Sequence, residues 1–172
     1  MDGLSERTIG KLNIDEVTQA PLRLVKTARL LAPPAEVFAV VSDHVGTGAW
    51  FPVIERVQVD NTQAEVAGGH GATRYCTLSN GAVLTEKIVE FDPPHLFGYA
   101  VADGNAFGVQ GHLALINLET DAAGHTLLTW RQYFNQADID ALTKEISAML
   151  DGGIQGLIDR FGDELLKTTF VS

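Results

Sequence analysis

Glu86 and His112 are the side chains of this sequence best suited to carry a proton inside an apolar chamber. Glu86 sits mid-strand in Leu84-Thr85-Glu86-Lys87-Ile88, where alternation can turn it inward. A carboxylate in apolar surroundings has a raised pKa and can serve as a base. His112, in Gly111-His112-Leu113, could donate to or accept from a ligand and could titrate near neutral pH. The ordinary alternatives, a solvated outer-face glutamate and a hydrogen-bonded or exposed strand histidine, stand beside both. Arg74 lies as far before the Ser79-Asn80-Gly81 turn as Glu86 lies after it, so the two are expected to be direct cross-strand neighbours. They read first as a structural pair; otherwise Arg74 would hold an anionic ligand group. Tyr99 offers a phenol on the adjoining strand, with core packing as the equal alternative.

The groups that would orient a ligand follow from alternation in the last strand. Leu128, Trp130, Gln132 and Phe134 share one face, taken as the inner one; Leu127, Thr129, Arg131 and Tyr133 share the other. Trp130 is then either a core packer or a ligand wall whose indole N–H meets a polar group. Trp50, in a glycine-interrupted stretch, is a further candidate for orientation. In the preceding strand one register turns Gln110, His112, Ala114, Ile116 and Leu118 inward. Leu113 and Leu115 are then outside, near Leu127, as an exposed apolar patch that implies a homodimer interface. The opposite register buries those leucines and exposes His112.

Other chemistry is disfavoured. His44, His70, His95 and His125 fall in turns and are expected to be solvated, and no pair has zinc-site spacing, so no metal and no cofactor are implied. There is no nucleophile elbow, dinucleotide fingerprint or P-loop. The glycine-rich stretch 68–71 precedes a strand, not a helix, and reads as a loop at a cavity mouth. The single cysteine, Cys76, excludes an internal disulfide and reads as a small buried strand residue. Twelve basic residues against 22 acidic ones, a net charge of −10, disfavour nucleic acid. No apolar run approaches a membrane span, and the charged N-terminal stretch shows no export signal, so a cytoplasmic location is expected.

The elements that must position these groups form one α+β domain over residues 22–172, preceded by an arm at 1–21 with the loose spacing of a short amphipathic helix. A first strand over 22–32 is stopped by Pro33 and Pro34, and Pro34 suits the first turn of a helix ending near Asp43. A short broken helix or turn surrounds Trp50. Strands are then expected at 55–60, 72–78, 82–91, 96–102, 109–119 and 125–134, joined in sequence as an antiparallel meander. From Ala137 to Leu165, apolar residues recur at helical spacing in one long C-terminal helix. Gly152, Gly153 and Gly156 within it mark a kink or a close approach.

This order, with Ala32–Asp43, Trp50–Val57, Gly71–Arg74, Leu84–Pro94 and Gly124–Trp130 in sequence, resembles the helix-grip, START-like superfamily. Within it the chain is similar to the polyketide cyclase/dehydrase-like proteins. The resemblance implies a curved sheet of about seven strands wrapped on the long helix, with two short helices after the first strand. It further implies an internal cavity for a small hydrophobic ligand that is lipid-, aromatic- or polyketide-like. Cyclase-type acid–base chemistry would use Glu86 and His112, with Trp50, Arg74, Tyr99, Trp130, Gln132 and Phe134 orienting the ligand. A non-catalytic carrier or sensor, or an interaction module with a filled cavity, is the alternative.

Overall fold

Alternating strands with a buried inner face need a second layer to cover them, and here a single long helix provides it. In a computed structural model, which describes residues 6–171, the main sheet has eight strands. They are β3 (Leu22–Leu30), β4 (Ile54–Asp60), β5 (Thr73–Leu78), β6 (Val83–Asp92), β7 (Leu96–Val101), β8 (Gln110–Thr120), β9 (Thr126–Asn135) and β10 (Asp163–Phe170). The spatial order is β10-β3-β9-β8-β7-β6-β5-β4, antiparallel throughout. Helix α1 (Pro34–Val41) starts at Pro34 as expected, and α2 (Ile139–Phe161) crosses the concave face. The second short helix is a single 3-10 turn, Thr47–Ala49. Among the described residues, no helix is long and apolar enough to cross a membrane.

The inner core runs from Leu24, Ala28 and Leu30 of β3 through Leu128, Trp130 and Phe134 of β9 to Leu142, Ile146, Leu150, Ile154 and Leu157 of α2. The α2 glycines mark close approach, not a break, because the helix is continuous through them. A Cβ on Gly153 would lie 3.3 Å from the rings of both Trp50 and Trp130, and one on Gly156 would lie 1.9 Å from the Trp50 carbonyl oxygen. The Trp50 turn and α2 thus touch backbone to backbone.

Two expectations at the ends of the chain are corrected. The long helix stops at Phe161 and does not continue to Leu165, because Gly162 (φ 86°) and Asp163 (φ 81°) turn the chain back. The following residues form β10, which pairs antiparallel with β3. Lys26, buried on β3, reaches Asp151 of α2 (2.6 Å) and Thr168 of β10 (3.0 Å), tying helix and edge strand together. The described part of the arm is not an amphipathic helix. It is a short ribbon of β1 (Thr8–Ile9) and β2 (Leu12–Asn13) followed by a 3-10 turn, Ile14–Glu16.

That arm changes the reading of the outer face. The first register holds for Leu113 and Leu115, which point away from α2, yet both are fully buried. Ile9, Leu12 and Ile14 pack on them together with Val25, Leu96 and Tyr133 as a second core. Arg7 pins the arm through the carbonyls of Ala20 (2.9 Å) and Thr18 (2.7 Å), and Thr18 donates to the Gly111 carbonyl (2.6 Å). The patch expected to call for a second copy is covered from within the chain. Gln110 is exposed and not inward, because the β8–β9 register shifts between Gln110 and Leu113, where Gly111 takes φ 61°.

Two outcomes test this arrangement. Gly156→Ala gains at most about 1 kcal/mol of helix propensity but forces α2 off the Trp50 backbone, so denaturant melts should show a net loss of roughly 2 kcal/mol. Removing residues 1–20 should leave Leu113 and Leu115 uncovered. Light scattering on that variant should then show more self-association than the full chain does.

Candidate ligand cavity and its polar end

Beneath α2 lies a cavity of about 60 Å³, counted as room for the centres of water-sized groups. Its helix side is apolar, with Ile146, Met149 and Leu150, and Phe51, Ile54, Leu78, Leu84 and Phe107 close the walls. The sheet side carries the polar groups, because inward positions on five adjacent strands bring Arg74, Cys76, Glu86, Tyr99, His112 and Gln132 to one end. Five of the eight expected site residues therefore meet on this cavity. Trp50 and Trp130 line an adjoining void of about 10 Å³, with Arg74 and Tyr99 on its other walls. Phe134 is buried in the core and is not among the residues lining either space.

Arg74 and Glu86 are direct cross-strand partners, as their distances from the turn require. Arg74 Nε donates to Glu86 Oε1 at 2.6 Å, and both side chains are about 95% buried, at 6% and 5% exposure. The Arg74 guanidinium also lies 4.5 Å from the Tyr99 ring centre and 5.5 Å from that of Phe97. Burial is the largest single influence and works against its charge, but Glu86, Cys76 and Tyr99 together outweigh burial, so its pKa lies above the ordinary arginine value. Cys76 approaches the same carboxylate oxygen (3.6 Å); burial, then Glu86, pushes its thiol up to about 12. Burial likewise raises the Tyr99 phenol, with Glu86 adding to it.

His112 is inward, and its hydrogen bonds fix its state. The Val101 backbone N–H donates to Nδ1 (3.0 Å), so Nδ1 carries the lone pair and Nε2 carries the proton. Nε2–H then donates to Gln132 Oε1 (2.7 Å), which turns the Gln132 amide N–H groups away from the histidine. Burial holds the His112 pKa below the ordinary value. His44, expected to be solvated, is 5% exposed. Its Nε2–H donates to the Gly68 carbonyl (2.7 Å), and Nδ1 faces Arg74 Nη1 (3.4 Å), with burial again lowering its pKa. Its burial depends on the glycine-rich loop folding over it, which no local pattern signals. Cys76 and Thr47 were also overlooked as lining residues. For Cys76 the signal was available, since it alternates with Arg74. His70 and His95 are exposed and His125 is half-buried. Among the described residues, no three His, Cys, Asp or Glu side chains gather as a metal site.

An eight-stranded antiparallel sheet gripping one long helix over a cavity with a single polar end defines a helix-grip, START-like protein. Residues 21–168 match the family described as polyketide cyclase / dehydrase and lipid transport, and the chain belongs to that family. Similar solved structures include XoxI of Bacillus cereus (16% identity, TM-score 0.69, covering 81% of this chain and 94% of that one). A protein of Thermobifida fusca is similar at 21% identity (TM-score 0.64, covering 80% and 91%). Ara h 8.0201 is similar at 18% identity (TM-score 0.61, covering 81% and 97%). No curated protein matches.

Both buried histidines make stability fall in acid. Their folded pKa values are depressed, so below the unfolded value of about 6.5 the unfolded chain takes up protons that the folded chain refuses. Unfolding free energy should therefore drop by up to about 1.4 kcal/mol per pH unit for each histidine as the pH falls below about 6.5. Denaturant melts between pH 7 and pH 5 should show this slope, and His112→Gln should flatten it.

Proposed function

We propose that the protein binds a small, predominantly apolar molecule in the cavity under α2 and holds it as a carrier or sensor, without moving protons. The observation that carries this reading is the hydrogen-bonded state of the groups that could do acid–base work. His112 has one ring nitrogen receiving the Val101 N–H and the other donating to Gln132. Taking up a proton would break the first bond inside a buried site. Glu86 is held by the Arg74 guanidinium at 2.6 Å, so its charge is matched in place and its basicity is used structurally. What remains is a polar end that can orient a molecule and an apolar wall that can solvate it, which is what binding needs. The lipid-transport part of the family description agrees with this use.

The cyclase part of that description supports a second reading. Confinement alone can bring two ends of a flexible chain into a reactive conformer, without a proton carrier on the protein. That use requires more room than the closed state provides. By the same measure a water needs about 10–15 Å³, so 60 Å³ accommodates only a few such groups. A ring-sized ligand must displace Met149, whose unbranched side chain can swing aside, or Phe107.

Titration with an environment-sensitive aromatic dye, 1-anilinonaphthalene-8-sulfonate, tests the site. Met149→Trp should fill the cavity and weaken dye binding at least tenfold while leaving the melting temperature within a few degrees. Unchanged dye affinity in a folded Met149→Trp variant would place binding elsewhere and overturn the proposal.

A further inference from the structure

The polar end of the cavity is rich in hydrogen-bond donors that have nothing to donate to. Trp50 (4% exposed) and Trp130 (0% exposed) each bury an indole N–H that makes no well-formed hydrogen bond, although the Tyr99 phenol lies near that of Trp130. Buried donors are almost always matched, so an unmatched pair beside one void marks a place where an acceptor belongs. The void is about 10 Å³, the size of one oxygen-scale group. Arg74 and Tyr99 line both the void and the larger cavity, so a ligand in the cavity can extend one atom between the indoles.

The neighbouring groups bias the end the same way. His112 Nε2–H takes one lone pair of Gln132 Oε1 and leaves both Gln132 amide N–H groups free of the histidine. Glu86, engaged by Arg74 through Oε1, lines the larger cavity but not the void between the indoles. In the void a ligand hydroxyl or ammonium proton would find only the Thr47 and Tyr99 side-chain oxygens, whereas a carbonyl or carboxylate oxygen would meet the two indole N–H groups with the Arg74 guanidinium beside them.

We propose that the ligand is an oxo compound: an apolar body bearing one carbonyl-type oxygen, which enters the void and accepts from the Trp50 and Trp130 indole N–H groups. This rests on the cavity being a binding site and adds the chemical class of what it takes. Alcohols and amines of the same shape bind more weakly, because their protons are left unmatched.

Three near-isosteric probes test it by NMR titration of the full chain: acetophenone, 1-phenylethanol and ethylbenzene. The two tryptophans provide two indole N–H signals as direct reporters. The expected result is that acetophenone binds at least fivefold more tightly than 1-phenylethanol and moves at least one indole proton downfield, which ethylbenzene does not. Trp130→Phe and, separately, Trp50→Phe should each reduce that preference severalfold while ethylbenzene binding stays within twofold. The downfield shift in the unaltered protein carries the test should either variant fail to fold. Equal binding of all three probes, with indole signals moving alike, overturns the oxygen-acceptor inference and leaves the cavity-binding reading standing. Binding of none of them, together with loss of dye binding, overturns both.

Discussion

A guanidinium held away from water is tolerated only where its charge and its N–H groups are matched. Arg74 sets that condition for the inner face of this protein. Glu86 lies opposite it across the β5–β6 hairpin, His44 caps it from the loop after α1, and the Tyr99 and Phe97 rings flank it from β7. These groups come from three different elements, so the loop after α1, the Gly68 loop that His44 holds and the sheet are tied to one geometry through one side chain. Such a pair does little to stabilise the fold net of its desolvation. Its consequence is specificity: it leaves one end of an otherwise apolar chamber polar, with the carboxylate and guanidinium charges matched in place.

The second organising constraint is that the middle of the sheet is buried on both faces. α2 covers the concave side, and the short arm covers part of the convex side over Leu113, Leu115 and Tyr133. Strands buried on both sides lose the clean alternation that sheets open to water on one side display. That is why β8, with Leu113 to Ile116 all buried, resisted assignment of its faces. At the other edge, β10 extends the sheet beyond β3, and Lys26 joins that added strand to α2. The matched family span begins at residue 21, so the arm lies outside it while nearly all of β10 lies within.

Much of the site was legible because β-geometry converts sequence distance into spatial distance. The equal offsets of Arg74 and Glu86 from the Ser79-Asn80-Gly81 turn predicted their contact, and alternation placed Trp130 and Gln132 on the inner face. The same rule placed Phe134 inside, though it packs in the core away from the cavity. The long helix was legible from its 3- and 4-residue spacing, but that spacing runs on to Leu165, past the point where Gly162 ends it. Hydrophobic period outweighed the punctuation in that reading, and the glycine was the better guide.

By itself, the sequence determined the α+β class, the meander with its turns, the inward face of β9 and the pairing of Arg74 with Glu86. All of these follow from local periodicity and from turns that act over a few residues. Only the tertiary structure decided the protonation state of His112, the burial of His44, the cover over Leu113 and Leu115, and the unmatched indoles of Trp50 and Trp130. Each depends on which atom of a distant element comes within hydrogen-bonding or contact distance, and chain packing, not local pattern, sets that distance.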